Sequence, residues 1–365
     1  MNEPALTWIC PPLDGPATGG TLYNAALLRA LAALGVRASA LELDAGRRAL
    51  RRGIASYYWV DSLYLAHLPE LERNDVTGAG LGLVTHYLPS LVALERVPLR
   101  KELSSTEEAA LRAARRFLAT SPFLRDVLLS LGIPGSRVVT VCPGVEEGER
   151  GASPLGADTG AATTSRSGLR ALMVANLLPG KGIAPFLTAL DPLLTPSVSL
   201  ELSVVGSEAL DAECARECLA VVAASPRLQR AVRFEGPVSH DTVLRRMRAS
   251  DVLVSASRME SFGMALAEAR AVGLPLLARA GGNVATHVDE AAGGALCDDD
   301  AGLARALVAL AGDPAEVRRR AARAAGSRVR RSWGEAAGEF VGGEGLGLGE
   351  GAAGAGTGTG ERQGR

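Results

Sequence analysis

The chain has 365 residues, 47% of them hydrophobic and 22% charged, with 39 basic against 40 acidic groups. That is the balance of a folded globular protein and excludes a chain disordered throughout. A net charge of -1 gives nucleic acid no electrostatic footprint. No apolar run reaches the roughly 18 residues of a membrane span, since the longest candidate, 80–97, is interrupted by Thr85, His86, Pro89, Ser90, Glu95 and Arg96.

At roughly 100 to 200 residues per domain, the length predicts two domains. The opening MNEPALTWIC lacks the basic leader of a secretion signal. The five cysteines (Cys10, Cys142, Cys214, Cys218, Cys297) include no CxxC pair and suit a reducing compartment. A cytoplasmic location is expected from both.

Apolar runs alternate with helical spacing along most of the chain, the pattern of α/β units around parallel sheets. Residues 5–10 are predicted as a first strand, followed by the loop PPLDGPATGG and a helix whose apolar face is Leu22, Ala25, Ala26, Leu28, Leu31 and Ala32, stopped by Gly35. Further strands are predicted at 36–43, 59–66, 82–85, 117–120 and 138–142. Together these make 1–145 a doubly wound first domain. The small, polar, aperiodic stretch 146–168 cannot offset its ordering entropy and is expected to be a flexible linker.

A second alternating series, with strands at 172–175, 198–205, 232–234, 252–255 and 274–277, predicts a second domain over 169–326. A terminal helix is expected over 327–341. The Gly-rich end, 342–365, is expected to be disordered.

Three segments stand out for chemistry. In SRMESFGMALAEARAVGLP, a strand leads through a turn into a helix, so the amides of Ser261, Phe262, Gly263 and Met264 point out of a helix N-terminus, which attracts phosphate. Glu260 and Glu268 lie just over two helical turns apart, a spacing that allows both to face a common cleft at different depths. The plainer reading makes Glu260 a cap and Glu268 a solvated side chain. In LMVANLLPGKGI, Lys181 falls between a strand and a helix and is suited to a phosphate. Lys101 is the only other lysine among 39 basic residues. Gly19 and Gly20 sit at the first strand-to-helix turn, where a ligand approaches the backbone. His86 ends a strand on the side where open α/β sheets bind ligands, although a lone histidine is more often structural.

Jointly these segments resemble the retaining glycosyltransferases of family 4, which have the GT-B fold: two Rossmann-like domains facing across a cleft. The resemblance runs from Pro11 to Val341 through PATGG, THYLPS, TSPFLRDVLLSLGIPGSRVVTVCPGVE, VANLLPGKGI and RFEGPVSHDTVLRRMRASDVLVSASRMESFGMALAEARAVGLPLLARAGGN. Its most specific element is the pair Glu260 and Glu268 with seven residues between.

The resemblance implies that a nucleotide sugar is the donor. Glu268 would hold the ribose hydroxyls, Glu260 the sugar, and Lys181 with the amides of Ser261 to Met264 the diphosphate. It further implies that His86 lies beside the transferred sugar and Gly19 and Gly20 near the diphosphate, and that the terminal helix expected over 327–341 crosses back to the first domain. Asn176, where many members have arginine, is grouped with the donor-binding residues. His86, Lys181 and Glu260 are the expected catalytic set. No cofactor and no metal are implied, and no nucleic acid.

The acceptor is expected to be a sugar, a lipid or another small molecule, with peripheral contact at the inner face of the plasma membrane as one option. Two other functions fit the same motifs: a nucleotide-sugar-binding protein without transfer, and a GT-B epimerase. Among weaker signals, the run Asp298 to Asp300 is expected to cap a helix. The arginines between 318 and 331 are expected to coat one. Arg47, Arg48, Arg51 and Arg52 before Tyr57 to Trp59 are expected to be ordinary surface ahead of a buried strand.

Overall fold

The computed structural model describes residues 6–15, 18–78, 80–145 and 168–343. The stretch expected to link the domains, apart from Gly168, and the expected tail from 344 onward lie outside the described residues.

Among the described residues, twelve strands form two six-stranded sheets, each parallel throughout. The first contains β1 (Leu6–Ile9), β2 (Ala38–Leu41), β3 (Tyr57–Asp61), β4 (Leu81–Thr85), β5 (Ala114–Ala119) and β6 (Val138–Thr140), in the order β2-β1-β3-β4-β5-β6. The second contains β7 (Leu169–Val174), β8 (Leu200–Val205), β9 (Val232–Gly236), β10 (Val252–Ser255), β11 (Leu276–Arg279) and β12 (Ala295–Cys297), in the order β12-β11-β10-β7-β8-β9.

Both orders reverse once, between β1 and β3 and between β7 and β10. At such a reversal the loops leave the carboxyl ends of adjacent strands in opposite directions and open a crevice.

The period of two sorts each strand between the faces of its sheet. Leu6 and Trp8 join one buried cluster with Tyr57 and Trp59, while Ile9 joins the opposite one with Tyr58 and Val60. The first face is covered by helix Gly19–Ala33 and by helix Trp333–Gly342 near the end of the described chain, whose Ala336, Ala337 and Phe340 are fully buried there. Phe340 packs between Trp8 and Trp59, with ring centroids 5.8 Å from each. Gly144 makes the close approach feasible, since a Cβ there would lie 2.4 Å from the Trp333 nitrogen.

Several expectations are corrected. The strand placed at 59–66 ends at Asp61, and 62–67 is a 3-10 helix, because the Asp61 carboxylate accepts from the Leu63 amide and caps it. Gly19 and Gly20 are not in the turn but are the first two residues of their helix. Thr18, capping in a reciprocal pair with Thr21, starts the helix ahead of them. Strand β12 was not expected, and the helix expected over 327–341 begins only at Trp333, where Ser332 caps it. Asp299 caps the helix Asp300–Ala311 by accepting from Gly302, and Asp300 lies beside Arg279.

Candidate active site

The carboxyl ends of the two sheets face each other, and direct contacts join them. Ser121, fully buried after β5, donates from Oγ to the Ser261 carbonyl at 2.6 Å. Arg258 pairs with Glu95 at 3.0 Å. Met259 is buried in the apolar cluster of the first sheet. A Cβ on Gly19 would lie 3.6 Å from the Met264 side chain. The turn between β10 and the helix Met264–Val272 thus forms one wall of the cleft and touches the other.

On the second sheet, Lys181 follows β7 and Glu260 follows β10, the two strands flanking the reversal. Lys181 Nζ donates to Glu260 Oε1 at 2.6 Å. Gly182 makes the loop feasible: its φ is +65°, and a Cβ would lie 2.3 Å from the Ala256 carbonyl oxygen. Burial pushes the Glu260 carboxyl up, but the Lys181 charge and hydrogen bond, a Ser257 hydrogen bond and the His287 charge outweigh it, and the pKa is lowered overall. The Glu260 carboxyl is therefore ionised at neutral pH.

The backbone of the turn is tied on both sides. Glu260 bridges to Gly282, and its carbonyl accepts from the Asn283 amide at 2.7 Å. The Phe262 carbonyl accepts from Asn283 Nδ2 at 2.8 Å and faces His287 Nε2 at 2.6 Å. Gly263 caps the helix at φ +95°, a left-handed conformation that bends the chain into its axis. The first amides of that helix have no intrahelical acceptor and are directed out of its N-terminus. Glu268, one helical turn further in, is 5% exposed, with His240 Nε2 2.8 Å from its Oε1.

On the first sheet, His86 follows β4, its side chain 11% exposed. Its ring is edge-on to Tyr23 at 5.1 Å and lies over Gly20, where a Cβ would meet Cδ2 at 3.2 Å. Its Nε2 is 3.1 Å from Asn24 Oδ1 and 3.2 Å from Asp61 Oδ2.

The structure thus pairs Lys181 with Glu260 and places Glu268 on the helix that follows; of the four amides expected at that helix's N-terminus, Met264 is its first residue and Gly263 its cap, whereas Ser261 and Phe262 lie in the turn before it. Gly20 is brought against His86, and Gly19 against Met264. The Asn176 oxygen accepts instead from the Ser207 amide at 2.8 Å, tying the loops after β7 and β8.

Sequence reasoning assigned no role to Asp61 or Ser121 and did not single out Asn24, His240 or Asn283. Each acts on a partner 21 to 140 positions away, so local spacing carried no signal for them. Among the described residues no group of three His, Cys, Asp or Glu side chains is placed to hold a metal ion, and no helix is long and apolar enough to cross a membrane.

Residues 168–313 match the sequence model of a family described as Glycosyl transferases group 1. Over 203 residues the chain is 32% identical to the D-inositol 3-phosphate glycosyltransferase of Nocardia farcinica, covering 50% of this chain and 44% of that protein. Over 234 residues it is 29% identical to the glycogen synthase of Mycobacterium tuberculosis, covering 63% and 53%. The chain therefore spans about half the length of these relatives.

Among solved structures it is similar to sucrose-phosphate synthase from Thermosynechococcus elongatus, with a TM-score of 0.70 at 20% identity over 92% of this chain and 97% of that one. It is also similar to Anabaena HepE in complex with UDP and glucose, with a TM-score of 0.68 at 14% identity over 92% and 98%. The chain has the GT-B fold, and its second sheet with the surrounding helices carries the match to group 1 glycosyl transferases.

Proposed function

We propose that the cleft binds a nucleoside diphosphate sugar and transfers its hexose-like sugar to an acceptor with retention at the anomeric carbon, without a metal ion. The observation that carries this reading is the Lys181–Glu260 pair at the reversal of the second sheet, beside the N-terminus of helix Met264–Val272. A cation and a helix end together form a site for a diphosphate. A carboxylate held between them accepts hydrogen bonds from sugar hydroxyls.

On binding, the Lys181 ammonium turns from Glu260 to the diphosphate and Glu260 is released to the sugar. Glu268 keeps Oε1 on His240 and offers Oε2 to the ribose. As the sugar departs, negative charge grows on the diphosphate, where Lys181 and the helix amides meet it without reorganisation. Such preorganised donors are typically worth about 3 to 4 kcal/mol each. The contacts across the cleft exclude water from the sugar and limit its loss to hydrolysis. The HepE complex with UDP and glucose supports a donor of this class.

A second reading, binding without transfer, draws on Asn176. With its oxygen on Ser207 it contributes no charge to the diphosphate, which is left to Lys181 and the helix end. One experiment separates the two. UDP, GDP and ADP sugars are screened by thermal shift, and the stabilising one is assayed for nucleoside diphosphate release with and without EDTA. Transfer that persists in EDTA is expected. Stabilisation without release would favour the binder, and a loss in EDTA restored by magnesium would overturn the metal-free mechanism.

A further inference from the structure

Beneath His86 lies a buried chain of side chains whose hydrogen bonding has a single consistent solution. The indole Nε1 of Trp8 only donates, so the Asn24 amide atom 3.1 Å from it is the oxygen. Asn24 Nδ2 is then on the other side, 2.6 Å from Asp61 Oδ2, where a carboxylate accepts. His86 Nε2 faces that same Asn24 oxygen at 3.1 Å and Asp61 Oδ2 at 3.2 Å. Both are acceptors, so this nitrogen carries a proton. The ring edge bearing Cδ2 and Nε2 is the one packed over Gly20, which leaves the opposite edge, with Nδ1, for a ligand.

We infer that Asp61, through Asn24 and Trp8, is the positioning residue of His86: it holds the imidazole with its proton on Nε2 and presents Nδ1 to the cleft as a hydrogen-bond acceptor. The group that meets Nδ1 is then a donor, and a sugar hydroxyl has that chemistry. This last step rests on the sugar-transfer reading above. Asp61 itself is fully buried and touches no substrate. Its other oxygen accepts from the Leu63 amide at 2.7 Å, so the carboxylate cannot rotate away without uncapping the 3-10 helix after β3. His86 is also fixed from its backbone, whose amide donates to Ser62 Oγ at 3.1 Å, the residue next to Asp61. The carboxylate and the imidazole are thus set by the same strand end.

The full chain labelled with 15N-histidine has four histidines, and loss of one set of signals in His86→Asn assigns the ring. Two-bond proton–nitrogen correlation at alkaline pH is expected to show a protonated, pyrrole-type Nε2 and a bare, pyridine-type Nδ1. Asp61→Asn and Trp8→Phe are expected to mix the tautomers. Trp8→Phe retains an aromatic ring in the core and guards against a folding failure of the first variant.

With UDP-glucose as the probe, both variants are expected to lower kcat by roughly ten- to a hundredfold while UDP affinity stays within about twofold, a split that general loosening of the fold would not give. A proton on Nδ1 in the unaltered protein, or two folded variants with unchanged tautomer and unchanged kcat, would overturn the inference. The tautomer is read without substrate, so an absence of turnover with any donor would count against sugar transfer while leaving this spectrum standing.

Discussion

Glu260 and Glu268 lie on one turn and helix but answer to different partners, Lys181 and His240. That difference predicts different phenotypes. Glu268→Ala is expected to weaken binding of the free nucleoside diphosphate by about 1.5 to 3 kcal/mol, the worth of hydrogen bonds to a charged group. Glu260→Ala is expected to leave that binding nearly unchanged and to reduce transfer. Calorimetry with the nucleoside diphosphate checks both, and equal losses would contradict the division of roles.

Gly20→Ala tests the first sheet's side of the cleft. Its Cβ would press on His86 Cδ2 at 3.2 Å, so the imidazole must shift slightly against the hold of Asp61 and Asn24. Transfer is expected to fall with little change in melting temperature. Lys181 and both glutamates were legible in the sequence because their signal is local: a spacing, and a rare lysine beside a strand. Asp61 was not, because its role is set by residues 24 and 86, which only the sheet brings together.

At the level of elements, the helix Trp333–Gly342 belongs by sequence to the end of the described chain and by packing to the first sheet. Phe340→Ala should cost about 3 to 5 kcal/mol, the usual range for removing a fully buried aromatic ring, and denaturant unfolding measures it. A loss below 1 kcal/mol would show that the helix is not part of that core.

The strand pattern in the sequence located eleven of the twelve strands seen, because each carries an apolar run. It failed at 62–67, where SLYLAH reads as strand-like by hydrophobicity but Asp61 turns the chain into a 3-10 helix. The side-chain cap overrode the apolar pattern. It missed β12 because ALC between two glycines and three aspartates reads as a turn, whereas the equally short β6 lies in the longer apolar run VVTVC.

Across the whole molecule, the two sheet reversals bring the Lys181–Glu260 pair and His86 to one cleft, and Arg258–Glu95 and Ser121–Ser261 span it. Glu95 is the one non-glycine residue with positive φ among the described residues, at 52°. The Arg258–Glu95 pair is partly exposed, so Arg258→Ala is expected to change stability by no more than about 1 kcal/mol. It is expected to raise the fraction of donor lost to water, read as free sugar against glycoside product.

Acid should loosen the cleft and the buried Asp61 together. Both Asp61 and Glu260 have folded-state pKa values lowered below the ordinary 3.8 and 4.5 despite burial, Asp61 through the His86 charge and its hydrogen bonds and Glu260 through Lys181. Their contribution to stability is therefore present above those ordinary values and is lost as pH falls through the folded ones. Unfolding measured against pH is expected to show a decline below about pH 4, shallower in Glu260→Gln.

The most direct test of the central claim follows the diphosphate itself. Phosphorus NMR of the protein with the donor that stabilises it, plus candidate acceptors, is expected to show the sugar diphosphate signals giving way to free nucleoside diphosphate, with Lys181→Ala slowing the change by roughly a hundredfold or more. Release at an unchanged rate in Lys181→Ala, or no release from any UDP, GDP or ADP sugar, would contradict it.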